Sequence, residues 1–84
     1  MAASAWYENK RDGLGLEFLA EIDRCVALIA NNPLPWPILE GRVRYININR
    51  FPYRIFFQTE SRRIVILAVF HNQRDPAVLM QRLH

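Results

Sequence analysis

The sequence predicts an α+β fold: a helical hairpin packed on a three-stranded antiparallel sheet, closed by a short C-terminal helix. Three observations carry this reading. Between Leu14 and Asn31, Phe18, Leu19, Ile22, Cys25, Val26 and Ile29 recur on one helical face, with Glu17, Glu21 and Arg24 on the other. Arg50-Phe51-Pro52-Tyr53-Arg54-Ile55-Phe56-Phe57 is rich in aromatic and β-branched residues, as strands are. The seven-residue apolar run Ile64 to Phe70, ended by His71-Asn72-Gln73-Arg74-Asp75-Pro76, is too short for a membrane span and reads as a strand buried on both faces.

Taken in order, a first helix is expected over residues 3–10, with Ala5, Trp6 and Asn9 facing inward. Asp12-Gly13 and Gly15 supply the turn to the second helix, which Asn31-Asn32-Pro33 stops because the residue before a proline disfavours helical geometry. Pro33-Leu34-Pro35-Trp36-Pro37 is a stiff connector that holds neither a helix nor a central strand, and Trp36 is expected to pack over the core edge. Strands follow at 42–49, 53–59 and 63–71, joined by turns short enough for antiparallel hairpins. In the first of them Val43 and Tyr45 alternate with arginines, whereas Ile46 and Ile48 take the opposite phase, which suggests a bulge or face change near Tyr45 and Ile46. Asp75 reads as an N-cap with Pro76 at the first helical position, opening a helix through Leu83, and His84 as a frayed terminus.

At this length residues 1–84 make one small domain, with a stability margin of only ~3–5 kcal/mol, so a partner could matter to folding as well as to function. No stretch can span a bilayer and the N-terminus lacks the features of a secretory signal, so a soluble, cytoplasmic protein is expected. The single cysteine, Cys25, allows no internal disulfide and no cysteine metal cluster, and its place on the apolar helix face reads as a small buried side chain.

The net charge of +3 conceals a division along the chain. Residues 1–40 carry three cations against six carboxylates, a net −3, while residues 41–84 carry eight arginines against Glu60 and Asp75, a net +6. The strand half therefore seeks an acidic partner, nucleic acid or protein, and guanidinium suits bidentate recognition of phosphate or carboxylate. Alternation on the solvent side of strands explains about half of the arginines without a ligand. Arg50 and Arg54 flank Phe51-Pro52-Tyr53, where a rigid turn would present them together. No metal, nucleotide, haem or flavin motif is present, and no cofactor is expected.

An ordered set of short motifs resembles the ParE/RelE superfamily of bacterial toxins: Trp6-Tyr7-Glu8, Leu14-Gly15-Leu16-Glu17-Phe18, Asn32-Pro33, Arg44, Phe51-Pro52-Tyr53-Arg54, and Ile66-Leu67-Ala68-Val69-Phe70-His71 through Arg74-Asp75-Pro76. The pattern is closer to the ParE-like branch, plasmid-stabilisation-type toxins of type II toxin-antitoxin pairs. What the resemblance implies is a toxin neutralised by a cognate antitoxin and acting on DNA gyrase through a protein contact, not as an enzyme. Arg42, Arg50, Arg54 and Arg74 are then the partner-binding candidates. The RelE-like branch implies instead ribosome-dependent mRNA cleavage, with Arg44, Arg54 and Arg74 as cations and His71 as acid or base. Against that chemistry, the sheet region holds no lysine and no tyrosine stands near the C-terminus; for His71, a hydrogen bond to nearby backbone is the plainer role. The family fold opens with a strand before the first helix, and that strand is read as missing here, through a downstream start or natural truncation. Its loss would uncover an edge or groove beside the 63–71 strand, open to a homodimer or a partner strand, and leaves a non-toxic, antitoxin-binding module as a third reading.

Overall fold

Each helix and each hairpin expected from the sequence is present in the computed structural model, which describes residues 2–83; the reading of His84 lies outside those residues. Helix α1 (Ala2–Lys10) and helix α2 (Leu14–Asn31) form the hairpin. Gly13 stands at the N-cap of α2 with φ 86°, a left-handed conformation that glycine adopts without steric cost, and it has no side chain with which to cap the helix. The cap comes from α1 instead: the Glu8 carboxylate accepts the backbone N–H groups of Gly13 at 2.9 Å and Gly15 at 3.0 Å. A carboxylate there also meets the positive end of the α2 dipole. The inward residues of α1 are Ala3 and Tyr7, and Ala5, Trp6 and Asn9 face solvent. The expected inward face was thus misplaced, because nine residues without a clear apolar stripe do not specify an orientation.

Asn32 ends α2 by donating its N–H to the Leu28 carbonyl, and its side-chain oxygen accepts from the Leu34 N–H. The proline-rich connector then delivers a strand that the sequence reading did not anticipate, β1 (Ile38–Glu40). With β2 (Val43–Asn47), β3 (Tyr53–Glu60) and β4 (Arg63–His71) it makes a four-stranded antiparallel sheet in the order β1-β2-β3-β4, so the expected three strands become four. Three residues between Pro37 and Gly41 give no periodicity to read.

The sheet has a core on each face. On the hairpin side, Phe18, Cys25 and Ile29 of α2 meet Ile46, Ile55 and Phe57, with Ile48 and Phe51 from the β2–β3 turn. On the other side, Leu79 of α3 (Ala77–Leu83) covers Val43, Phe56 and Phe70. Asp75 caps α3 through its carboxylate oxygen, 2.9 Å from the Ala77 N–H. The phase change near Tyr45 now has its cause: β2 alternates regularly from Val43 to Asn47 against β3, and both phases are apolar because both faces are covered. The register break lies instead in the β3–β4 pair, where Phe56 faces Ala68, Phe57 faces Ile66 and Leu67 is left as the extra residue.

Strand β4 also departs from expectation. It is apolar on both faces and has the open edge that was expected, but it is not buried on both faces: Phe70 is its one buried residue, and Ile66 is 40% exposed. Two cores claim its side chains, and no further strand among the described residues shields its outer flank. No helix among the described residues is long and apolar enough to cross a membrane.

Candidate functional site

The β2–β3–β4 register sets Asn47, Arg54 and Phe70 in one row across the sheet, on the α3 side. Arg54 donates from Nε to the Asn47 side-chain oxygen at 2.7 Å, and its guanidinium lies 4.7 Å from the centre of the Tyr45 ring. Arg74 lies 4.1 Å over Phe70, the residue directly across from Arg54. The turn that carries Arg74 is held by its own N–H on the His71 carbonyl, 2.9 Å away. Stacking on a ring orients a guanidinium while leaving its outward N–H donors free. Among the described residues, neither Arg54 nor Arg74 is paired with a carboxylate. The result is a pair of oriented cations suited to a carboxylate or a phosphate.

The other sequence candidates lie elsewhere. Arg44 points to the hairpin side, where one guanidinium nitrogen donates to the carbonyls of Leu34 (2.9 Å) and Trp36 (2.7 Å), clamping the proline-rich connector onto β2. Arg50 adopts a left-handed backbone, φ 73°, and turns toward Glu17 of α2 (3.7 Å), away from Arg54. The rigid turn between them therefore separates the two arginines that it was expected to present together. Arg42 is exposed in the β1–β2 turn. His71 is on the hairpin side: its ring meets Tyr53 edge-on at 5.1 Å, and Nδ1 accepts the Gln73 backbone N–H at 3.1 Å. Of the four nuclease candidates, Arg54 and Arg74 are together, whereas Arg44 and His71 are on the opposite face.

A second surface lies beside the 63–71 strand, where an uncovered edge or groove was expected. Between α2 and the β4 edge runs an open groove of about 490 Å³, floored by Val26, Ala30, Pro33, Ile64 and Ile66, with the β3–β4 hairpin at its rim. In that hairpin Arg63 is held by Glu60, 2.6 Å away, while Arg62 is exposed. The groove's signal in the sequence is an apolar surplus: Ile64 packs against the hairpin-side core, while Ile66, an exposed residue, stands outside it. Cys25, inside α2, is fully buried, and burial pushes its thiol above the ordinary cysteine value.

Comparison with known protein families gives a match. The family model described as the ParE toxin of type II toxin-antitoxin system, parDE, matches residues 3–76. No curated protein and no solved structure matches the chain. The matched span runs from α1 to the start of α3 and so takes in the hairpin, the whole sheet and the Arg54–Arg74 row. This chain belongs to the ParE toxin family of type II toxin-antitoxin systems.

Proposed function

We propose that this protein is a ParE-like toxin that acts in the cytoplasm as a single domain, by contact with DNA gyrase, and that a cognate antitoxin neutralises it. The observation that carries the reading is the stacked pair Arg54 and Arg74, with Arg44 and His71 on the other face of the sheet. Oriented cations with no carboxylate paired to them and no imidazole on their face favour recognition of an acidic protein surface over phosphodiester cleavage, which needs proton transfer at the same place. Arg42, exposed in the β1–β2 turn, extends the basic surface, and Arg50 contributes from the hairpin side. The antitoxin is assigned to the α2–β4 groove, where apolar side chains and an unpaired strand edge offer both pockets and backbone hydrogen bonds. The same edge serves a second copy of the chain when the antitoxin is absent: β4 is nine residues long, contains no proline and leaves its outer flank open.

Induced expression tests the reading, with growth, plasmid supercoiling and mRNA integrity scored together. Growth arrest with altered supercoiling is expected, and Arg54→Ala with Arg74→Ala should relieve it while leaving antitoxin binding intact. Arrest with mRNA cut at codons would replace this reading by the endonuclease, and no arrest would replace it by a non-toxic antitoxin-binding module.

A further inference from the structure

Where the middle of α1 meets the β2–β3 turn and the last residue of β4, Trp6, Tyr7, Pro52, Tyr53 and His71 line a pocket of about 330 Å³. Its walls are almost wholly aromatic: Tyr7 meets Trp6 edge-on at 5.0 Å, and Tyr53 meets His71 at 5.1 Å. Trp6 is 56% exposed and makes no part of either core, so its place on the rim is not explained by packing. The pocket lies on the hairpin side of the sheet, away from Arg54 and Arg74.

Three of these side chains have a polar end to spare. Because Nδ1 of His71 accepts the Gln73 N–H, the neutral ring carries its proton on Nε2, and no described residue accepts it. The hydroxyls of Tyr7 and Tyr53 likewise have no hydrogen-bond partner among the described residues, and burial, with Tyr53 adding to it, raises the Tyr7 phenol above its ordinary value. No carboxylate lines the pocket, while Lys10 sits 4.8 Å over the Trp6 ring and Arg50 5.5 Å over the neighbouring Phe51.

We propose that this pocket binds a nucleobase, unstacked and carried on a phosphate-bearing nucleotide. The aromatic side chains that line the pocket, set edge-on to one another, offer a flat ring faces on which to stack. Ring nitrogens and exocyclic groups would satisfy the histidine and the two phenols, and the 5′-phosphate would meet the Lys10 side of the rim. A plain phenyl or indole from a partner protein would fit the walls but leave those polar groups desolvated and unpaired, which is unfavourable. The chemistry admits a free nucleotide or one base of a single strand, and it does not depend on whether the toxin's target is gyrase.

The test is a titration of the full chain, followed by nuclear magnetic resonance, with adenosine 5′-monophosphate, a short single-stranded oligonucleotide, ribose 5-phosphate and N-acetyl-phenylalanine amide. Saturable shifts of the Trp6 indole and the Tyr53 and His71 rings are expected with the nucleotide or the oligonucleotide, and not with ribose 5-phosphate. Tighter binding of the oligonucleotide than of the nucleotide would identify the single strand as the source. Trp6→Ala, an exposed substitution that leaves both cores intact, should weaken binding about tenfold, as loss of one stacking partner does. Equal shifts from ribose 5-phosphate, shifts confined to the Arg54 and Arg74 region, or saturation by the phenylalanine amide alone would each overturn the proposal.

Discussion

A β-carbon added to Gly15 would stand 2.5 Å from the Ser4 carbonyl oxygen and 3.0 Å from the Glu8 carboxylate, so glycine is what lets α1 and α2 touch. Backbone cannot swing aside as a flexible side chain does, and Gly15→Ala is expected to cost about 1–3 kcal/mol in urea unfolding, the range of overpacked cores. Glu8→Ala, which removes the carboxylate cap of α2, should cost about 1 kcal/mol in the same assay. An undiminished midpoint in either variant would mean that the hairpin is not held at this contact. Trp36 is the reverse case. Its indole N–H is buried and has no partner among the described residues, so Trp36→Phe should leave stability nearly unchanged, provided the smaller ring keeps the packing. Alkali should act through Cys25 and Tyr7. Both acids have folded-state values raised by burial above 9.0 and 10.0, so their contribution is fully present below those values and is lost as pH rises through the higher folded ones. A fall in thermal midpoint that sets in above about pH 9 and is reduced in Cys25→Ala is the expected outcome, with the thiol unreactive until the chain unfolds.

At the scale of elements, what the sequence made legible was governed by periodicity. Helix α2 was readable to its ends, because an apolar stripe and an Asn-Asn-Pro stop are local signals. The hairpin of β3 and β4 was equally clear, and β4 begins and ends where expected. Strand β1 escaped because three residues cannot display alternation, and the partial exposure of β4 escaped because apolar residues on both phases do not show how fully a strand is covered, although its open edge was expected. The arginines divided in a similar way. Alternation along β3 placed Arg54 on a face, but only the register with β4 brought Arg74 over Phe70 beside it, and nothing local announced that Arg44 would clamp two connector carbonyls. Arg44→Ala is therefore expected to act on stability, by about 1–3 kcal/mol, the range of hydrogen bonds from a charged donor, and not on target binding. Loss of activity at unchanged stability would return Arg44 to the functional set.

For the molecule as a whole, the two sheet edges are unequal. The β1 edge is short, irregular in register and preceded by Pro37, all devices that discourage strand addition. The β4 edge is long and free of proline, with the bulge at Leu67 as its one interruption against β3, and it borders a groove whose floor joins α2 to the sheet. Ile66→Lys, placing a charge on an exposed position of that floor, should shift a concentration-dependent dimer toward monomer in sedimentation velocity and weaken antitoxin capture together. A chain that is monodisperse and monomeric at every concentration would remove the homodimer, and antitoxin binding unaffected by Ile66→Lys would remove the groove as its seat.

The strand order repeats the order of the chain. Each strand after the first pairs with the one made just before it, and the two helices of the hairpin likewise meet as sequence neighbours. Few long loops must close before contacts reward them, so contact order is low for a protein with this much sheet. The expected consequence is kinetic: refolding on the millisecond scale, roughly as for other mixed two-state domains of this size. A toxin built this way would regain its shape soon after an antitoxin is stripped from it, so the lag before its action would be set by the loss of the antitoxin and not by the toxin's own folding.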